Sequence, residues 1–461
     1  MKRLFSRRSA VEYHNRRGGI PGRNIPSSRN PSHTILWVTA IVVCVTTAAW
    51  AARDDASDYP SMPYDHPSID YENRETHDPI FRLQQKLDQG EAKLAFDSKF
   101  GYLPSLLKQL DINADSQMLV FSKTSFQAPK ISPQYPRALY FNDQVAIGYV
   151  PKGDVLELTA LDSNQGIVFY TIEKEKRDRP QLRRRTAECL NCHVIPGTLY
   201  VPGLLTTSVI PRPDGSLRFA ASAVIVDSRT PLDQRWGGWY VSGMSGGLLH
   251  RGNSSAPDPD QPTVLNTRNN QNLPSLTNRI DTSTYLLPTS DIVALLTLEH
   301  QTRMASFLTR LNWEARIAQH EGKMADFLPR LEFLTDEVVS YMLFEDEARM
   351  FEPISGTSTF TKTFSERGPR DKKGRSLRDF DLQTRVFRYP LSFMIYSPAF
   401  DALPSVVTDR VYRKLFDALT SQDSGSGSRR SAVDRQAIVE ILAETKPGVP
   451  DYWTQATKSS Q

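Results

Sequence analysis

The chain has 461 residues, of which 39% are hydrophobic and 10% aromatic, enough for a sizeable core and too many for a disordered chain. Three cysteines exclude a disulfide scaffold. The net charge is +4, but residues 1–33 alone carry +7 (eight basic residues against Glu12), which leaves the rest at −3 and removes the main support for nucleic acid as a partner.

Residues 34–52, TILWVTAIVVCVTTAAWAA, carry no charge. Crossing a bilayer takes roughly 20 apolar residues, so this stretch is just long enough. The arginines before it and Arg53, Asp54 and Asp55 after it place residues 1–33 in the cytoplasm and send the chain beyond residue 53 outward. A retained anchor fits the long basic lead. A signal peptide cut after Ala49-Trp50-Ala51 is the alternative. The expected location is the cell inner membrane, single-pass, with the main body in the periplasm.

Residues 53–78 are polar and interrupted by prolines, the pattern of a linker. A β-rich domain is expected over 79–250. It opens with helical spacing between Phe81 and Leu110, broken at Gly90 and Gly101. Strand-like runs come next at 118–126, 137–141, 145–150, 155–161 and 167–172, with turn signals at Asn142-Asp143 and Pro151-Lys152-Gly153. A further hairpin is expected around Arg212-Pro213-Asp214-Gly215. Residues 251–288 read as a linker or wrapping loop. A helical domain is expected over 289–461. Its first helix is capped by Ser290 and runs to about His320, with others at 325–350, 376–388, 405–420 and 431–445. The fold class is therefore α+β.

Cys189-Leu190-Asn191-Cys192-His193 is C-x-x-C-H, the attachment signature of c-type haem. The two thiols add to the haem vinyl groups, and the next residue offers its imidazole to the iron. A zinc site would need a second ligand pair, and no other cysteine lies beyond the apolar stretch. A redox C-x-x-C would not require the adjacent histidine. One covalent haem c is expected, with His193 as proximal ligand.

For the far side of the iron the candidate metal ligands are His250 and His300, with Met244 and Met304 behind them. His300 shares a helix face with Leu296 and Met304, where a histidine satisfied within the core is the ordinary case. His250 comes after a glycine-rich run that begins at Trp236. Residues 170–193 carry seven basic groups against four acidic ones, including Arg183-Arg184-Arg185. This local excess suits haem propionates or an acidic partner.

Five blocks together resemble the large monohaem cytochrome c domain proteins exported by bacteria. They are 188–216, RWGGWYVSG at 235–243, LEHQTRMASFLTRLNWEAR at 298–316, YPLSFMIYSPAFDALP at 389–404 and ILAETKPGVPDYW at 441–453. The resemblance implies haem c, electron transfer and redox partner proteins at the membrane. His250 and His300 match family positions. Ser245 stands where the family often has histidine. A haem enzyme that reduces a small oxidant such as peroxide at an open iron, or a haem-based sensor, is the alternative.

Overall fold

The computed structural model describes residues 58–217, 223–257, 265–421 and 431–459. The apolar stretch 34–52 and the basic segment 1–33 lie outside them. No described helix is long and apolar enough to cross a membrane.

The architecture is mixed α+β. Seven antiparallel strands form one sheet in the order β6-β5-β4-β3-β2-β1-β9. They are β1 (Met118–Val120), β2 (Arg137–Phe141), β3 (Val145–Tyr149), β4 (Val155–Asp162), β5 (Gly166–Glu173), β6 (Arg183–Arg185) and β9 (Trp239–Tyr240). A separate pair joins β7 (Thr207–Ser208) to β8 (Val224–Ile225). The central strands form where β-branched and aromatic residues alternate, and side groups close their turns. Asn142 Oδ1 accepts from the Gln144 and Val145 amides. Asp162 Oδ1 accepts from the Asn164 and Gln165 amides. Gly166 takes φ +77°, a conformation side chains disfavour.

Alternation along the strands divides their residues between two cores. Leu156, Leu158 and Ala160 of β4 face one core with Val168 and Tyr170 of β5. That core is covered by α1 (Pro79–Asp88) and α2 (Leu103–Gln109), and by Leu276, Ile280 and Tyr285 from the 265–288 stretch. Phe141, Leu161, Ile167 and Phe169 face the other core, which continues into the C-terminal helices. The short α3 (Ala187–His193) carries the cysteines. The C-terminal helices are α4 (Ile292–His320), α5 (Met324–Met342), α6 (Phe360–Glu366), α7 (Pro398–Asp401), α8 (Ser405–Thr420), α9 (Ala432–Thr445) and α10 (Asp451–Ser459).

Several local expectations change: α5 ends at Met342 rather than near 350, and β1 at Val120 rather than 126. Residues 58–78 are packed rather than a free linker. Tyr59, Met62, Ile69 and Tyr71 are buried, and the Tyr71 hydroxyl donates to the Ile167 carbonyl at 2.7 Å. The N-cap of α4 is Asp291, one residue beyond Ser290. Ser290 Oγ instead accepts from the Leu119 amide and donates to the Tyr240 carbonyl, tying the helix start to the sheet. Residues 376–388 form no helix. Asp381 Oδ1 captures the Gln383 and Thr384 amides and Leu382 takes φ +57°, so the segment folds back as a tight turn.

Asp291 does more than cap. Its Oδ1 accepts from the Val293 and Ala294 amides, and its Oδ2 from the Thr357 and Ser358 amides and Ser358 Oγ at 2.8 Å each. Asp291→Ala would orphan buried amides on two segments and should cost about 2–4 kcal/mol. Denaturant titration checks this, and Asp291→Asn should lose less.

Candidate functional site

α3 is seven residues long and has one buried anchor, Leu190. Residues three and four apart share a helix face, so Cys189, Cys192 and His193 project together. All three side chains are partly exposed, while Leu190 is held inside. The cysteines are thiols rather than halves of a disulfide. Burial pushes the Cys189 thiol up to about 12, with Glu188 and Glu157 adding to the effect. The thiol is therefore protonated at neutral pH.

His193 is clamped in both directions by one glycine. Its Nδ1–H donates to the Gly203 carbonyl at 2.8 Å, and the Gly203 amide donates back to the His193 carbonyl at 3.0 Å. Thr198 Oγ1 donates to the same His193 carbonyl at 3.2 Å. A carbonyl only accepts, so the proton sits on Nδ1 and Nε2 keeps its lone pair. Burial lowers the imidazole pKa, and Arg137 adds to this while the Gly203 carbonyl and Glu157 oppose it. The ring is neutral at pH 7. A neutral imidazole whose other nitrogen donates to a backbone carbonyl is the usual state of a metal-ligating histidine.

The clamp depends on a strained loop. Leu199 and Tyr200 both take positive φ, 58° and 57°. Such a pair persists only where surroundings over-determine it. α4 supplies them. Arg303 Nη1 donates to the Gly197 carbonyl at 3.2 Å, and Arg310 Nη1 donates to the Leu199 carbonyl at 2.9 Å. The sheet adds the Ile167 amide on the Pro202 carbonyl at 3.1 Å. Gly203 has no room for a side chain, since a Cβ there would lie 2.7 Å from Ser306 Oγ.

The sheet lies beneath the ring. Phe169 of β5 meets the His193 ring at 4.8 Å. On the same sheet face Arg137 pairs with Glu157 at 2.9 Å, both half-buried. Arg137 Nε is buried without a hydrogen-bond partner, an unused donor on a cation near His193.

His250 and His300 sit in surroundings of their own. His250 is buried against Trp236, and its Nδ1 accepts from the Gly252 amide at 3.1 Å, which places its proton on Nε2. His300 is stacked on Phe344 at 4.3 Å and on Tyr341, with Nε2 bonded to Ser392 Oγ at 2.7 Å and Nδ1 buried without a partner. The hydrogen bonds and ring contacts of both histidines go to residues other than His193. Among the described residues no group of three or more His, Cys, Asp or Glu side chains is arranged to hold a metal ion. Met304 is buried in the core and Met244 is exposed. Ser245 is buried, with its hydroxyl donating to the Leu248 carbonyl.

Beside His300, Glu299 is fully buried and pairs with Arg235 at 2.7 Å, while Trp236 Nε1 donates to it at 2.5 Å. Burial pushes its carboxyl up to about 7 against the pull of those two donors.

Sequence reasoning singled out the three motif residues and not the residues packed around them: Gly203, Thr198, Arg137, Phe169, Arg303 and Arg310. The pairs Pro196-Gly197 and Pro202-Gly203 were the available signal of a constrained loop after the motif.

Comparison with known proteins finds no matching family model, no similar curated protein and no similar solved structure. The likeness to monohaem cytochromes rests on the five sequence blocks alone.

The two core histidines set a pH dependence. Burial holds His250 and His300 near about 3, below the 6.5 of a free imidazole. The stability each contributes is complete above pH ~6.5 and is lost as pH falls toward ~3. Glu299 has the opposite sign, losing its contribution as pH rises from ~4.5 through ~7. Chemical denaturation between pH 7 and pH 4 should show stability falling on the acid side, with a shallower slope in His250→Gln and His300→Gln. The readout is the slope, because both variants also lose native contacts.

Proposed function

We propose that the chain is a membrane-anchored monohaem c-type cytochrome that passes electrons between partner proteins, with its main body in the periplasm. The observation that carries this reading is the His193 clamp. A C-x-x-C-H motif alone is a string of residue types. Here its histidine is neutral, its proton is fixed on Nδ1, and Nε2 is left as a donor to iron.

The motif fits the group. Cys189 and Cys192 would hold it covalently as thioethers, and their partial exposure leaves them within reach of a large planar molecule. His193 Nε2 would ligate the iron. The spare Nε of Arg137 is a suitable partner for a carboxylate of the haem. When bound, the haem supplies one-electron exchange between ferric and ferrous iron. The chain's own part is to hold the ligand ring. Gly203 fixes the tautomer and orientation of His193, Phe169 supports the ring, and the arginines of α4 hold the loop that carries Gly203. The anchor in this proposal is residues 34–52.

A second reading is an iron open to a small ligand, in a sensor or a peroxide-reducing enzyme. It draws on the engagement of His250 and His300 with Gly252 and Ser392. The carrier needs His250 or His300, or failing them Met244 or Met304, as the second ligand of its iron.

Absorption and EPR spectra of the isolated protein test these readings. A low-spin iron that resists carbon monoxide supports the carrier. A high-spin iron that binds carbon monoxide supports the second reading. Cys189→Ala or Cys192→Ala should each disrupt covalent attachment, measured as haem released by denaturant. In the carrier, His250→Gln or His300→Gln should turn the iron high-spin, and a spectrum unchanged in both variants would leave a methionine or an open iron. Gly203→Ala should disturb it, because displacing that carbonyl frees the ring of His193.

A further inference from the structure

β6 is one edge of the seven-stranded sheet and pairs only with β5. It consists of three consecutive arginines and ends immediately before the motif helix. A cavity of ≈ 530 Å³ runs along it, lined by Arg177, Arg179, Arg183 and Arg185 with Glu173 and Asp178 among its walls. That volume lies within the ~300–1,000 Å³ typical of binding sites.

The arginines are not equally occupied. Arg177 is answered by Glu173 at 2.7 Å and Glu175 at 3.1 Å. Arg185 bonds Thr171 Oγ1 at 2.9 Å and lies 3.6 Å from Glu188. Arg184 turns away and donates to the Tyr71 and Arg74 carbonyls. Arg179 and Arg183 are exposed and have no side-chain partner among the described residues. The groove therefore holds a positive charge that the fold does not use. The acids of the groove are Glu173, which pairs with Arg177, and Asp178.

Strand geometry narrows the ligand. Arg183 and Arg185 point to the same face, roughly 7 Å apart along the strand, and Arg184 points to the other. An extended peptide with an acid at every second residue has this same repeat. An edge strand also leaves backbone groups open to a further strand. We propose that the β6 groove binds an extended acidic segment of a partner protein, with alternate carboxylates on Arg183 and Arg185, a further carboxylate on Arg179 of the adjoining loop, and its backbone lengthening the sheet. The exposed apolar side chains Phe126, Met244, Leu249 and Phe351 do not line the groove, so a lipid surface would find none of these anchors beside it. Edge arginines also discourage aggregation, but that role requires no cavity. On the haem proposal the bound partner sits next to Cys189. That consequence rests on the proposal, while peptide binding does not.

Fluorescence anisotropy on the full-length chain tests the site whether or not haem is attached. The probes are a short labelled peptide of alternating Glu and Val, a second with the same composition and its glutamates in one block, inorganic phosphate, and phosphatidylglycerol vesicles. The alternating peptide should bind about tenfold more tightly than the block peptide and weaken as salt rises. Arg179→Ala with Arg183→Ala should weaken it about tenfold with an unchanged melting temperature, since neither side chain supports the fold. Equal binding of the two peptides, full competition by phosphate, displacement of the bound peptide by vesicles, or no loss in the double variant would each overturn the proposal.

Discussion

α4 is a long helix buried on nearly every side, and this constrains the rest of the molecule. Its 29 residues include Glu299, His300, Arg303 and Arg310, all buried. A buried charge without a partner is far more costly than any surface contact. Arg310 pairs with Glu314 of the same helix, and the other groups are met by segments from elsewhere in the fold. Arg235 and Trp236 come to Glu299, and Ser392 comes to His300. The loop after the C-x-x-C-H motif presents its carbonyls to Arg303 and Arg310. Arg310 also takes the Pro60 carbonyl at 2.7 Å, which binds the start of the described chain to the same helix.

The motif is thus held from two directions. The sheet offers Phe169 and the Ile167 amide, and α4 offers two guanidinium groups. Between them the loop keeps two non-glycine residues at positive φ and aims the Gly203 carbonyl at His193. The three motif residues are thus supported from β5, from the 196–203 loop and from α4.

Much of this was legible in the sequence where the signal is local. β2 to β5 track alternating runs closed by Asn142 and Asp162, and α8 and α9 track apolar spacing at the helical period. Cys189, Cys192 and His193 stood out because their motif is contiguous, and the structure places them on one short helix. What failed was local pattern overridden by a side chain or by distant packing. Asp381 captured the amides a helix over 376–388 would have needed. The prolines and acids of 58–78 concealed Tyr59, Met62, Ile69 and Tyr71, which pack because the distant core offers them a surface. The supports of His193 lie up to 117 residues away in sequence at Arg310, and spacing rules do not reach that far.

The central claim is that Cys189 and Cys192 carry a haem. Intact-mass spectrometry of the denatured protein, isolated from cells able to attach haem outside the cytoplasm, tests it most directly. The expected result is the mass of the chain plus one haem, and the bare chain mass when both cysteines are replaced. A wild-type chain of bare mass under those conditions would contradict it.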